Sequence, residues 1–494
     1  MSAPDWAGPR SVLELWHPTG APTRRLSLGA AAAAPVRDGD DRTEPVDFAI
    51  VAPGGAELSG VWLDQAIADA GARLEPDGIV CVVVPRRWRQ TGVRLIRRAG
   101  MQPRGALLTA PWPDCSHAVS LDAAALRGGG GRLLGLRDSS AACVAALSRA
   151  GAGRAIVALA MPACALIATR RHGRDPLSWL AALDGAGGAC RATATRGVRE
   201  DARVAVVLRY APASRSPDLV AKVALDAGGR ERIERERAAL ASLGDGARRA
   251  GAAVPALVPA RAAGPGLLAT SALAGRPASG LLVRDPGRVD AILGALSSWL
   301  RGWTAATRTA GGAAEALERL LIAPAERVAS AAPGAATARY AVALRQLAAR
   351  LEGRALVLAA AHNDLTMANV LVTGDGTIGV VDWESADGAS PPLADDWYAC
   401  ADGLARAGGL THAQAVAQIA RRRAPIAAQL ATRLDERSSQ LGLSADEQLL
   451  AFHACWLHHA GNELDRGIRG GAFDAVVRSV AETRLRWPAG EDHE

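Results

Sequence analysis

The stretch from Leu356 to Glu384 constrains this 494-residue chain more than any other part of it. It opens with an apolar run, Leu356-Val-Leu-Ala-Ala-Ala, and passes into the polar His362-Asn-Asp364-Leu-Thr-Met-Ala-Asn369. A second apolar run follows, then Gly374-Asp375-Gly376, then Ile378-Gly-Val-Val-Asp382-Trp383-Glu384. An Asp-Gly pair between two short β-branched runs predicts a hairpin. That hairpin folds Asp382 back towards Asn369.

The spacing His362-x-Asp364-x-x-x-x-Asn369 is that of a kinase catalytic loop. Phosphoryl transfer needs a carboxylate beside the attacking hydroxyl and Mg²⁺ bridging the phosphate oxygens. Mg²⁺ prefers hard oxygen ligands and takes only one or two carboxylates beside substrate phosphates. Asp382 can supply the charged ligand and Asn369 a neutral one. Asp364 is then left to position and deprotonate the acceptor. His362 is read as a brace for the loop rather than a proton carrier.

These residues, with Asp382-Trp383-Glu384 and the later Pro392-Leu-Ala-Asp-Asp396, resemble the aminoglycoside phosphotransferase and choline kinase superfamily. The resemblance spans about residues 186–494. It implies an α+β, bilobal protein-kinase-like fold, with an N-lobe over 186–274 and a C-lobe over 275–494. It further implies ATP bound between the lobes, Mg²⁺, and a small-molecule hydroxyl as acceptor. Glu384 matches an acidic position common after the metal aspartate, as a salt-bridge partner or a metal contact. Asp395 or Asp396 is expected to anchor the loop by hydrogen bonds, and Thr270 to Leu273 to form the adenine-facing hinge. The nucleotide loop departs from the kinase pattern. Thr195-Arg-Gly197-Val-Arg-Glu-Asp201 holds one glycine, Gly197, where protein kinases use several. Arg196 or Arg199 could add charge there.

Composition sharpens one more position. Of 57 basic residues a single one, Lys222, is lysine, and asparagine occurs only at 363, 369 and 462. A lysine surviving in so arginine-rich a chain is a candidate for work that arginine cannot do. Lys222 lies in Leu219-Val-Ala-Lys222-Val-Ala-Leu225, a strand placed where a kinase-like fold holds the lysine that contacts ATP phosphates. On the helix that follows, Ile233, Glu236, Leu240 and Leu243 share one face. Glu236 therefore points inward and is expected to pair with Lys222, since an unpaired buried charge is costly.

The N-terminal part reads differently. Strand, helix and strand alternate over about residues 46–122, the pattern of a parallel α/β unit. Leu74-Glu-Pro-Asp-Gly-Ile-Val-Cys-Val-Val-Val84, with a helix and two strands after it, resembles the later half of class I S-adenosylmethionine-dependent methyltransferases. The glycine-rich cofactor loop of that family is missing, and Gly54-Gly55 follows the wrong strand. Residues 1–130 are thus expected to be a partial Rossmann-like α/β domain without cofactor. Residues 131–185 are expected to be a helical linker, entered through the glycine run 128–131.

Other features exclude classes. The basic run from Arg86 to Arg104 is interleaved with Val93, Leu95 and Ile96, as on a helix with one solvated face, so no nucleic-acid partner is expected. Ala155 to Thr169 is short for a membrane span and contains Pro162, which argues against stable membrane insertion while leaving surface association open. Seven scattered cysteines, never spaced Cys-x-x-Cys, and no basic-then-apolar leader fit a cytoplasmic protein. His453, His458 and His459 lack ligand spacing and are read as packing residues.

Three functions stay in contention: an active small-molecule phosphotransferase, a nucleotide-binding scaffold with weakened turnover, and a bifunctional methyltransferase and kinase. Lys222 offers a direct test. Its ammonium is a compact point charge, whereas guanidinium is a wide planar fork. Lys222→Arg is expected to fold normally and to lose at least about tenfold in kcat/KM for ATP, roughly 1.4 kcal/mol. Equal values for the two proteins would assign the phosphates to other residues.

Overall fold

The computed structural model describes residues 15, 24–28, 45–52, 59–110, 117–120, 163–173, 177–183, 191–196, 203–211, 214, 216–258, 266–468 and 471–483. The chain separates into two units: residues 1–234 with 256–272, and residues 235–255 with 273–494.

In the first unit the elements are β1 (Arg25–Leu28), β2 (Val46–Val51), α1 (Gly60–Arg73), β3 (Leu74–Pro85), α2 (Arg89–Arg98), β4 (Gln102–Ala110) and β5 (His117–Ser120). They continue with β6 (Ala163–Thr169), α3 (Ser178–Ala182), β7 (Arg191–Arg196), β8 (Val204–Tyr210), β9 (Leu219–Ala224), the first turns of α4 (Ala227–Ala250), and β10 (Leu267–Ser271). These ten strands among the described residues form one sheet in the order β1-β2-β3-β6-β4-β5-β7-β8-β9-β10. β1, β2 and β3 run parallel, with α1 as the crossover between β2 and β3. From β6 to β10 every pairing is antiparallel.

β3 shows why its sequence is a continuous apolar run. Ile79, Cys81 and Val83 pack on one face with Trp179 and Leu180 of α3. Val80, Val82 and Val84 pack on the other with Leu63 and Ile67 of α1 and Leu95 and Ile96 of α2. A strand covered on both faces loses the polar alternation of a half-exposed one.

β6 has the same property, and there the structure corrects the sequence pattern. That pattern predicts a helical linker over 131–185; residues 163–169 instead form a strand between β3 and β4. Cys164, Leu166 and Ala168 face one core while Ala165 and Ile167 face the other. An alanine-rich run has helix propensity, but pairing on both edges overrides it. β5 also pairs with β7, so the strands of the expected Rossmann-like part and of the expected N-lobe share one sheet. Gly54-Gly55, the glycine run 128–131 and Gly197 lie outside the described residues.

The second unit holds the remainder of α4, then β11 (Arg276–Pro277), α5 (Ala278–Arg284), α6 (Val289–Thr307), β12 (Thr309–Gly312) and α7 (Ala313–Leu317). A π-helical turn, Glu318–Ile322, leads into α8 (Ala323–Ala331) and α9 (Ala335–Leu351). Then come β13 (Ala355–Ala361), β14 (Val370–Val372), β15 (Ile378–Val380), β16 (Asp387–Ser390), α10 (Ala394–Gly408), α11 (His412–Ala420), α12 (Pro425–Leu441), α13 (Ala445–Asp465) and α14 (Ala472–Thr483). Two small sheets, β11-β14-β15 and β12-β13-β16, sit among these helices. α6 is tied to β13 by Trp303, whose buried Nε1–H donates to the Ala360 carbonyl at 2.6 Å.

Burial on both faces makes β6 sensitive to charge. Leu166→Asp places an unpaired carboxylate in a core position and is expected to cost more than about 3 kcal/mol. Val61→Asp, at a position 83% exposed, is expected to stay within about 0.5 kcal/mol of the parent. Urea unfolding of both variants checks the pair.

Candidate active site

β14 and β15 form the expected hairpin, with Val370 opposite Val380 and Val372 opposite Ile378. Gly376 takes φ +88° at the turn, a backbone region that glycine enters without penalty. The pairing continues one step beyond the strands, where Val381 N–H donates to the Asn369 carbonyl at 3.0 Å. Asp382 is the next residue. Its φ of +70° is unusual for an aspartate and turns the chain sharply out of the hairpin. Trp383 N–H then donates to a buried Glu236 carboxylate at 3.4 Å, and Trp383 Nε1–H to the Val380 carbonyl at 3.0 Å.

The loop from His362 to Asn369 is fixed from several directions. One buried carboxylate, Asp395, accepts the His362 N–H at 2.7 Å and the Asn363 N–H at 3.0 Å. Asn363 has φ +58°, and its Nδ2 donates to the Ser385 carbonyl at 3.3 Å. The His362 ring bridges two strands of the site. Nε2 lies 2.9 Å from the Val381 carbonyl, which can only accept, so Nε2 carries the proton. Nδ1 is then the acceptor for the Asp364 N–H at 3.2 Å. The ring also sits edge-on to Trp383, with centroids 4.8 Å apart. At the far end of the loop, Met367 N–H donates to Asp402 at 2.7 Å.

Asp364 and Asn369 meet directly. Asn369 Nδ2 donates to the Asp364 carbonyl at 2.9 Å and to its carboxylate at 3.3 Å. This commits the amide nitrogen and turns the amide oxygen to other uses. Burial, and then the charges of Asp382 and Glu384, push the Asp364 pKa up to about 7; Arg466 and the Asn369 bond act the other way.

Of the two aspartates expected to anchor the loop, Asp395 is the one bonded to it. Asp396 is turned to Arg437, with Oδ1 3.7 Å from Nε, and burial pushes its pKa up to about 7 against the pull of Arg437. Lys222 and Thr270 belong to the first unit. Lys222 is half-buried on β9, in register with Val206 of β8 and Leu268 of β10. Thr270 is buried on β10 opposite Val220. Leu273, in the second unit, lies against Gly379 of β15.

Some residues escaped the sequence reading. Asp402 is fully buried and also receives His412 Nε2 at 3.1 Å. Its only signal was a lone carboxylate in the apolar run Tyr398-Ala-Cys-Ala-Asp402-Gly-Leu. Tyr398 stacks on His459 at 3.9 Å and on His412 at 6.0 Å. His453 receives the Tyr340 hydroxyl at 2.9 Å, and burial pushes its pKa down to about 3. Among the described residues no three His, Cys, Asp or Glu side chains converge as a metal cluster. No described helix is long and apolar enough to cross a membrane.

Residues 194–430 match the model of the phosphotransferase enzyme family. That span is a little under half of the chain. Among solved structures, a thermostable mutant of aminoglycoside phosphotransferase APH(4)-Ia in its apo form is 16% identical, with 61% of this chain and 96% of that one covered and a TM-score of 0.36. Choline kinase LicA from Streptococcus pneumoniae is 15% identical, covering 58% and 91%, with a TM-score of 0.31. A choline/ethanolamine kinase family protein from Mesorhizobium loti is 19% identical, covering 60% and 93%, with a TM-score of 0.27. No curated protein matches the chain. The likeness to the family rests on that match.

The raised pKa of Asp364 has a consequence for stability. The native state holds this proton more tightly than the unfolded chain, where the carboxyl titrates near 4. The Asp364 contribution to stability is therefore fully present below about pH 4 and is lost as pH rises through about 7. Asp364→Asn removes that loss. In metal-free buffer the variant is expected to be more stable than wild type at pH 8 by roughly 2 kcal/mol, allowing for partial exposure, and to lose the advantage at pH 4. Urea titrations at the two pH values check the sign.

Proposed function

We propose that this protein is an ATP-dependent small-molecule phosphotransferase that moves the γ-phosphate to a hydroxyl. The observation that carries the reading is the meeting of Asp364 with Asn369 at the hairpin whose continuation is Asp382. Phosphoryl transfer leaves little covalent work to the protein and asks mainly for positioning and charge. Asp364 is the group that orients the acceptor hydroxyl and takes its proton as the oxygen bonds to the γ-phosphorus and the bond to the ADP oxygen breaks. A carboxylate with a pKa near 7 is suited to that work, since it is both ionised and basic at neutral pH. His362 keeps its single ring proton on the Val381 carbonyl and acts by holding the Asp364 backbone.

The donor set fits Mg²⁺. Asp382 offers a carboxylate and Asn369 an amide oxygen, hard ligands in the small number this ion takes beside phosphates. Bound there, Mg²⁺ would offset the phosphate charge. It would also relieve the repulsion among Asp364, Asp382 and Glu384. Lys222, on the sequence argument, is assigned to the ATP phosphates. Glu384 keeps both of its roles open, salt bridge or metal contact.

Two variants separate the roles. Asp364→Ala is expected to lower phosphotransfer at least about 100-fold, with MgATP affinity within about threefold of wild type. Asp382→Ala is expected to weaken MgATP binding at least about tenfold, because the phosphates lose their bridging cation. The measurements are calorimetric titration with MgATP and ATP consumption across a panel of hydroxylated metabolites. Wild-type turnover in Asp364→Ala would end the base assignment. Unchanged MgATP binding in Asp382→Ala would end the metal assignment.

A further inference from the structure

We infer that a cavity beside the catalytic loop receives the acceptor, and that this acceptor is a neutral polyol of monosaccharide size. The inference rests on the phosphotransferase reading and narrows its substrate. The cavity has a volume of about 250 Å³ and lies wholly within the second unit. Its wall includes Asn363 and Ser385, the residue before Asp364 and the residue after Glu384. A molecule held in it therefore has one edge on the catalytic loop.

Size sets the first limit. The volume falls below the roughly 300–1,000 Å³ of pockets that enclose drug-sized ligands. It corresponds to about eight water molecules at roughly 30 Å³ each. One sugar ring or a short polyol fits within it, whereas a chain of several rings would extend beyond its mouth.

Charge sets the second. The wall has one guanidinium, Arg319, and one carboxylate, Asp387, and they are bonded to each other. Arg319 also donates to the Ala389 carbonyl. Asp387 accepts further bonds from Ser390 Oγ and the Ala389 N–H, each at 3.1 Å. Neither charge is left for a ligand of opposite sign. An ammonium group would need a free carboxylate or an aromatic face. No Phe, Tyr or Trp lines the cavity.

The remaining polar groups are neutral and of both kinds. Asn363 commits its Nδ2 to Ser385, which leaves its amide oxygen as an acceptor. His458 Nε2 lies 2.9 Å from Asn462 Nδ2, a donor, so the ring proton is on Nδ1. Burial also holds His458 below its ordinary pKa, which keeps the ring neutral. Hydroxyl groups both donate and accept, and such a mixed wall matches them. Leu320, Pro324 and Ala454 supply apolar surface for the C–H face of a ring.

The test uses the full-length protein, with myo-inositol, D-glucose and D-ribose as neutral probes and kanamycin and choline as cationic ones. Calorimetry reads binding, and ATP consumption reads turnover. At least one neutral probe is expected to be consumed with a kcat/KM at least about tenfold above either cation. Ala454→Leu, which fills the wall, is expected to raise the KM for that polyol at least about tenfold while the KM for ATP moves less than about twofold. Leu320→Trp, at a half-exposed position that tolerates bulk, is expected to do the same should Ala454→Leu fail to fold. Binding of a neutral probe that Ala454→Leu or Leu320→Trp abolishes, without turnover, upholds the ligand class and refutes the phosphotransferase reading. Turnover of kanamycin or choline alone, or no binding of any neutral probe, overturns the inference.

Discussion

Two carboxylates on one helix hold the loop from His362 to Asn369, and the geometry of the candidate site depends on them. Asp395 and Asp402 are seven residues apart on α10, two turns and so nearly the same face. The first accepts the N–H groups of His362 and Asn363; the second accepts that of Met367. Both are buried, where a charge-assisted bond to backbone is strong and an unmet N–H costs about 1–3 kcal/mol. The loop is thus suspended at both ends from a rigid element. Left-handed backbone at Asn363 is sustained by that suspension, because strained dihedrals persist only where their surroundings over-determine them.

What the suspension holds together is an electrostatic conflict. Asp364, Asp382 and Glu384 are close enough that two of them raise the pKa of the third, and Arg466 only partly offsets this. The nearer hydrogen bonds steady the conflict without removing it. The Asn369 amide faces Asp364, and Glu236 faces the backbone of Trp383. A site that gathers several negative charges in a packed loop trades stability for the cation binding and proton uptake proposed for it. That trade is familiar where function requires it.

Much of this was legible in the sequence, and the boundary of legibility has physical causes. The hairpin followed from Asp375-Gly376 between β-branched runs, and with it the approach of Val381 and Asp382 to Asn369. The inward face of Glu236 followed from helical periodicity. The choice between Asp395 and Asp396 did not follow, because neighbouring residues on a helix differ by about 100° and only the docked helix says which one faces the loop. Asp402 stayed hidden for the same reason. β6 was misread because burial on both faces erases the period that identifies a strand, leaving alanine content to suggest a helix. The single sheet across β5 and β7 is a long-range pairing that no local pattern encodes.

The division of labour around the loop also explains why the sequence pointed to the proposed chemistry and not to an acceptor. The residues proposed to react depend on β13, the β14–β15 hairpin and α10, elements tied to one another by short hydrogen bonds. The wall of the adjoining cavity comes largely from elsewhere: the π-turn with Arg319 and Leu320, the segment from Ser385 to Pro391, and α13 at Ala454 and His458. A π-turn widens the helix by one residue, which here sets Arg319 against Asp387. Changing that wall leaves Asp395 and Asp402 in place, so specificity can be altered without releasing the loop. Function of this kind lives in the wall rather than in the fold. Its chemistry is set by which charges are already paired, and pairing is a property of three dimensions.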